Sequence, residues 1–129
     1  MAEAEQVLLD ASALLALARN EPGADRVRRS LASASISAVS IAECLAVFSR
    51  FTTAAVAAQL LSRLGLNVIA CDWQTSVMAA EIHASTRVRG LTLTDCICLA
   101  TARRLGLAAL TANPDWRGQN VDVPIEVLC

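Results

Sequence analysis

The sequence has no lysine and no tyrosine, one histidine, two tryptophans and two phenylalanines. Each shortage removes a class of protein. So few aromatic side chains leave no stacking platform of the kind on which RNA-binding sheets and single-strand grooves lay out bases. The one histidine, His83, falls mid-helix with no second histidine and no cysteine near it, so it is read as helix surface or core edge and not as a metal ligand. Without lysine, all eleven basic residues are arginine. Arginine grips phosphate bidentately, and codon usage can favour it equally well. No apolar stretch reaches the length of about 18 residues that a membrane span needs. The acidic start Met1-Ala2-Glu3-Ala4-Glu5 lacks the basic n-region of a signal peptide, and a cytoplasmic protein is expected. The cysteines, Cys44, Cys71, Cys96, Cys98 and Cys129, are odd in number and form no C-x-x-C pair. They are read as reduced, mostly buried thiols, not as disulfides or a zinc site.

What is abundant is apolar surface. Over 129 residues the chain is 55% hydrophobic, with a mean hydropathy of +0.49 and a net charge of −1. That length suits one domain, residues 1–129, with a substantial core. The surplus apolar surface points to a sheet covered on both faces and to a partner interface.

The stretch that organises the chain is Val7-Leu8-Leu9-Asp10-Ala11-Ser12, followed by the Leu- and Ala-rich Ala13 to Leu17. A short apolar run without polar alternation suits a strand buried on both faces. A helix is expected from Ala11 to Arg19, broken at Asn20-Glu21-Pro22-Gly23. A second helix, about Ala24 to Ala32, completes a helical hairpin over one edge of the sheet. Ser35 to Val39 reads as the second strand, and Ser40 opens a helix through Phe48. Another helix, about Thr53 to Leu64, should turn Val56, Leu60, Leu61 and Leu64 inward. Leu66 to Cys71 is a third strand, and Asp72 caps a helix from Trp73 to about Val88. Thr92 opens a helix that is apolar almost all round and should be deeply buried. Leu107 to Thr111 and Ile125 to Leu128 are the last strands. Strands alternating with helices mean βαβ units and a parallel sheet.

Four acids hold comparable places: Asp10 at the end of the first strand, Glu43 and Asp95 in first helical turns, and Asp115 in the turn after the fourth strand. Each has a structural use. Asp10 is a fitting N-cap, Ser40-x-x-Glu43 and Thr92-x-x-Asp95 resemble capping boxes, and Asp115 follows a turn proline. Capping does not explain why all four fall at the carboxyl edge of a parallel sheet, where such folds bind ligands. Setting them aside leaves eight acids against eleven bases, a balance of +3. A mildly cationic body around an anionic pocket suits a phosphodiester held over a metal. Clustered carboxylates repel unless a cation intervenes, and an all-carboxylate set suits Mg²⁺ or Mn²⁺, whereas zinc would want His or Cys.

These residues resemble a PIN domain, and specifically the VapC-type ribonuclease toxins of bacterial toxin–antitoxin pairs. The likeness rests on Val7-Leu8-Leu9-Asp10 with its following helix, Ser40-Ile41-Ala42-Glu43, Leu91-Thr92-Leu93-Thr94-Asp95-Cys96 with Leu99-Ala100, and Leu110-Thr111-Ala112-Asn113-Pro114-Asp115-Trp116. It spans essentially the whole chain in order. The resemblance implies a three-layer α/β/α sandwich with a mostly parallel four- to five-stranded sheet. It implies Mg²⁺- or Mn²⁺-dependent endoribonuclease activity, a homodimer or a toxin–antitoxin hetero-oligomer, and inhibition by a small cognate antitoxin. Asp10, Glu43 and Asp95 carry over directly as catalytic metal ligands. Many relatives place the fourth acid where this chain has Asn113 and others where it has Asp115, so Asp115 is assigned that position. Asn113 is left to donate a hydrogen bond or to contact metal-bound water. Ser12 and Thr111 are assigned to orienting carboxylates or water. Cys44 and Cys96, beside site acids, are expected to face the core; an exposed one would take a softer metal or oxidise. Arg26, Arg28, Arg29, Arg87 and Arg89 are candidate phosphate contacts, with solvated helix faces the plainer reading. The outer edge of the first helix is expected to wall the antitoxin groove. Two alternatives stand beside this reading: a PIN-like domain of an RNA-processing or repair complex, and a non-catalytic α/β interaction module.

Overall fold

Strand β1, Val7–Leu9, lies at the centre of the molecule because both of its faces are covered. A computed structural model describes residues 6–86 and 89–128. The elements following β1 are α1 (Ala11–Ala18), α2 (Ala24–Ser30), β2 (Ser35–Ser37), α3 (Ala38–Phe48), α4 (Ala54–Ser62), β3 (Asn67–Ile69), α5 (Trp73–Thr86), α6 (Leu93–Leu105), β4 (Ala108–Thr111) and β5 (Ile125–Val127). The five strands form one sheet in the order β3-β2-β1-β4-β5, and every neighbouring pair is parallel. In register, Leu9 pairs with Ile36 on one side and Leu110 on the other.

Two cores explain the unbroken apolar runs. Val7, Leu9, Ile36 and Leu110 pack under α1, α2 and α3, with Leu14, Val27 and Cys44 among their neighbours. Leu8 and Ala109 point the other way and pack with Leu99 of α6, Ala79 and Ile82 of α5, and Trp116. Alternate side chains enter opposite cores, so a polar residue fits on neither face. The result is the expected α/β/α sandwich. As expected, α6 is the most enclosed helix, with Cys96 and every residue from Cys98 to Ala102 buried. Cys44, Cys96 and Cys98 are free and buried, and Cys71 is half-buried. Among the described residues no helix is long and apolar enough to cross a membrane.

Several boundaries differ from the sequence reading. Helix α3 begins at Ala38, three residues after the start of β2, because the Ser37 side chain accepts the Val39 N–H and caps it. Ser40 is therefore buried inside the helix and does not pair with Glu43 as a capping box. On α4 only Ala57 is buried. Val56 and Leu60, expected to face inward, are 44% and 56% exposed. This helix rests on α3 and not on the sheet, so half of its apolar face borders a surface groove. Helix α5 is traced to Thr86; the remainder of the expected helix at Arg87 and Val88, and Cys129, lie outside the described residues. Arg104 joins the far ends of α5 and α6, donating to Asp72 at 2.6 Å, to Thr75 at 2.6 Å and to Gln74 at 2.8 Å. That guanidinium holds the Asp72 carboxyl well below its usual range. Gly23 permits a tight approach: its φ is +95°, and a Cβ there would come within 2.8 Å of Leu128 Cβ.

Candidate active site

The carboxyl ends of β1 and β4 open onto a cleft of about 200 Å³ lined by Asp10, Ser12, Ser40, Glu43, Thr94, Asp95, Cys98 and Asn113, with apolar Ala11, Leu15 and Val47. Three elements bring three acids here. Asp10 follows β1 directly and is the N-cap of α1, accepting the Ala13 N–H at 2.9 Å. Asp95 stands in the first turn of α6, where a capping box with Thr92 fixes it; one oxygen accepts the Thr92 N–H at 3.0 Å. Glu43 comes from the second turn of α3, on the same helical face as Ser40. For Asp10 and Asp95, capping and lining the cleft are compatible uses of one carboxylate with two oxygens.

Asp10 is the most constrained acid. Only 6% exposed, it accepts from Ser12 Oγ at 2.7 Å and from Thr111 Oγ1 at 2.8 Å. Those hydroxyls are themselves held by the turn beyond β4, since Ser12 Oγ accepts the Ala112 N–H at 2.9 Å and Thr111 Oγ1 the Asn113 N–H at 3.0 Å. Each hydroxyl accepts one backbone amide and has its proton left for the carboxylate. Three donors favour ionisation, yet burial outweighs them and the carboxyl is raised above its usual range, with Asp95 adding repulsion. Glu43 is raised too, by burial first and then by Asp95 and Asp10. The thiol of Cys98 is held far above its ordinary range by burial and by the three acids. Cys44 is pushed up to about 12 by burial, with Glu43 and Asp10 adding to it.

Asp115 does not line this cleft. Trp116 is fully buried, and burying an indole is worth about 4–6 kcal/mol at the usual area coefficient. The short 3₁₀ turn Pro114–Trp116 is oriented by that insertion and leaves Asp115 exposed to solvent. Asn113, the N-cap of the turn, stands on the cleft wall instead and accepts the Asp115 N–H through Oδ1 at 2.9 Å. Cys98, Ser40 and Thr94 are wall residues the sequence reading passed over. The available signal was helical spacing, three residues after Asp95 for Cys98 and three before Glu43 for Ser40. Arg26 is engaged elsewhere, donating from Nε to Glu126 at 2.7 Å. Arg28 pairs with Asp25.

The donor set suits a hard divalent cation. Its ionisable oxygens all belong to carboxylates, two of them raised in part by mutual repulsion that a cation would relieve. The wall contains no imidazole, and its thiol stays protonated. Among the described residues no three His, Cys, Asp or Glu side chains stand close enough to enclose an ion by themselves. Mg²⁺ keeps several waters and takes as few as one or two carboxylates directly, so it does not require such an enclosure.

Comparison with known proteins adds to this geometry. A profile of the PIN domain family matches residues 7–120. No curated protein sequence gives a significant match. Among solved structures, a toxin–antitoxin complex from Klebsiella pneumoniae superposes with a TM-score of 0.76 at 20% identity, covering 93% of this chain and 95% of that one. A DNA-bound VapBC from Salmonella typhimurium gives a TM-score of 0.74 at 19% identity, over 97% and 99% of the two chains. VapC20 of Mycobacterium tuberculosis, a sarcin–ricin loop cleaving toxin, gives 0.73 at 20% identity, over 92% and 98%.

Proposed function

Because the chain belongs to the PIN-domain family, a family of nucleases, we propose that it is a divalent-metal-dependent endoribonuclease acting as the toxin of a toxin–antitoxin pair. The observation that carries the chemistry is the cleft itself, where Asp10, Glu43 and Asp95 from three separate elements share one wall. RNA as substrate is supported by the similar fold of a toxin that cleaves the sarcin–ricin loop. A small antitoxin partner is supported by similar chains found in toxin–antitoxin complexes.

Asp10, Glu43 and Asp95 are the residues that would hold Mg²⁺ or Mn²⁺. When bound, the ion acidifies a water molecule and offsets charge gathering on the phosphate. Asp10 is kept in one orientation by Ser12 and Thr111, so its position costs no rearrangement as the reaction proceeds. Glu43 is the most solvent-open of the three. Hydrolysis by water, in line with the departing ribose 3′ oxygen, leaves 5′-phosphate and 3′-hydroxyl ends. A 2′,3′-cyclic phosphate would show instead that the RNA's own 2′-hydroxyl attacks.

The antitoxin has a fitting surface. An apolar groove of about 330 Å³ runs between α1 and the α3–α4 corner, walled by Leu14, Leu17, Phe48, Phe51, Leu60 and Leu64. Phe51 is 82% exposed, an open apolar patch of the kind that marks a protein partner. Exposed Trp73 and Val77, one turn apart on α5, offer a second such surface for a homodimer. Expression of the wild type should arrest growth, and Asp10→Asn should abolish both the arrest and Mg²⁺-dependent RNA cleavage. Arrest by the variant, or full cleavage in excess EDTA, would overturn the reading.

A further inference from the structure

The cleft wall carries one polar group that neither the fold nor the carboxylates use. Asn113 Oδ1 accepts the Asp115 N–H at 2.9 Å, and only the oxygen of an amide can accept from a backbone N–H. The orientation of the side chain is therefore set, and its Nδ2 carries two hydrogens with no hydrogen-bond partner among the described residues. The other polar groups of the wall are engaged. Ser12 Oγ donates to Asp10 at 2.7 Å. Thr94 Oγ1 pairs with Thr92 Oγ1 at 3.0 Å. The Cys98 thiol faces the Leu9 carbonyl at 3.9 Å, and Ser40 is buried inside α3.

An amide whose oxygen is turned to a backbone N–H presents its two Nδ2 hydrogens, which attract an anionic oxygen and cannot ligate a cation. The remaining acids of the wall repel a phosphate by charge, so a neutral donor is the group there able to hold a phosphate oxygen without competing for the cation. Resting on the endoribonuclease reading above, we propose that Asn113 is a substrate-binding residue whose side-chain amide donates to a non-bridging phosphate oxygen of the RNA, and that it is not a metal ligand.

Two variants keep an acceptor for the Asp115 N–H and so preserve the turn: Asn113→Ser, which is neutral but too short to reach, and Asn113→Asp, which keeps the reach and removes the donor. Steady-state cleavage of a short single-stranded RNA and the Mg²⁺-induced shift in melting temperature are read side by side. Asn113→Ser should raise KM about tenfold, the scale of one hydrogen bond to a charged group, with a Mg²⁺-induced shift equal to that of the wild type. Asn113→Asp puts an acid where many relatives carry one; it should still raise KM at least as much, whatever it does to the Mg²⁺-induced shift. If Asn113→Ser folds poorly, the aspartate variant decides the matter by the same criterion. An unchanged KM in a folded variant, or a reduced Mg²⁺-induced shift in Asn113→Ser, overturns the proposal while leaving the endoribonuclease reading intact. If the wild type shows no metal-dependent cleavage of RNA at all, that reading falls and this proposal with it.

Discussion

Asp10→Asn tests the electrostatics of the cleft apart from its catalysis. The substitution is isosteric. It retains Oδ1 for the Ala13 N–H at the start of α1 and lets the Ser12 and Thr111 hydroxyls turn their protons to other acceptors. What it removes is a buried charge. Since burial and Asp95 together outweigh the donors and hold the Asp10 carboxyl above its usual range, the folded chain favours a neutral group at this position. The variant should therefore be more stable than the wild type at pH 7 in EDTA, by on the order of 1 kcal/mol, the ordinary scale of a single substitution. For a chain of 129 residues, the unfolding entropy is about 0.27 kcal/mol/K, so this is a rise of about 4 °C in Tm. A carboxyl raised in the fold contributes stability while it is protonated, at pH below the ordinary carboxylate range, and loses that contribution as pH climbs through the raised value. The advantage of the variant should thus vanish in acid, where the wild type is itself neutral. Mg²⁺ should reverse the order. At a hundred times its dissociation constant, an ion that binds only the folded state adds about 2.7 kcal/mol, about 10 °C for the wild type and nothing for the variant. Thermal melts from pH 3 to 8, with EDTA and with Mg²⁺, check both halves. A variant less stable than the wild type at pH 7 in EDTA would refute the argument that Asp10 is an electrostatic burden on the fold.

Thr111→Val removes a donor to Asp10 and the acceptor of the Asn113 N–H; it should cost about 1–3 kcal/mol of stability by chemical denaturation and move the acid limb of the pH–rate profile to higher pH. Asp115→Asn should leave RNA cleavage within about twofold of the wild type, whereas Asp95→Asn should lose on the order of a hundredfold or more; comparable losses in both would place Asp115 in the machinery. Phe51→Glu should change stability by no more than about 0.5 kcal/mol and leave cleavage unaltered. Calorimetric titration of the same variant with the cognate antitoxin should show binding weakened by about 2 kcal/mol, or roughly thirtyfold.

Much of the fold was legible because both of its periodicities are strong. Val7-Leu8-Leu9 has no polar alternation since both faces are covered, and α6 is apolar all round since it lies against the sheet. The Thr92–Asp95 cap and the Asp72 cap were local signals with local partners, and both formed. Where the reading slipped, a non-local competitor decided. The serine that caps α3 is Ser37 and not Ser40, because β2 ends once Ser35 and Ile36 have paired with β1 and Ser37 with β3. The apolar pattern of α4 is that of an inward face, but which surface it meets depends on where α3 places it. Val56 and Leu60 face solvent for that reason.

The candidate site divides along the same line. By itself the sequence determined that Asp10, Glu43 and Asp95 lie at one edge of a parallel sheet, since the end of a strand and the first turns of a following helix sit there in any βαβ unit. That Ser12 and Thr111 serve Asp10 followed only from the family resemblance, and the pairing of β4 beside β1 brings Thr111 within reach. Only the tertiary structure put Asn113 on the cleft wall and Asp115 in solvent. Both follow β4 within four residues, and both are ordinary turn residues. The choice rests on Trp116, which enters the core beside Leu8 and Leu99 and turns its neighbour Asp115 outward. The energy of that contact belongs to residues far apart in the chain, and no spacing within the turn reveals it.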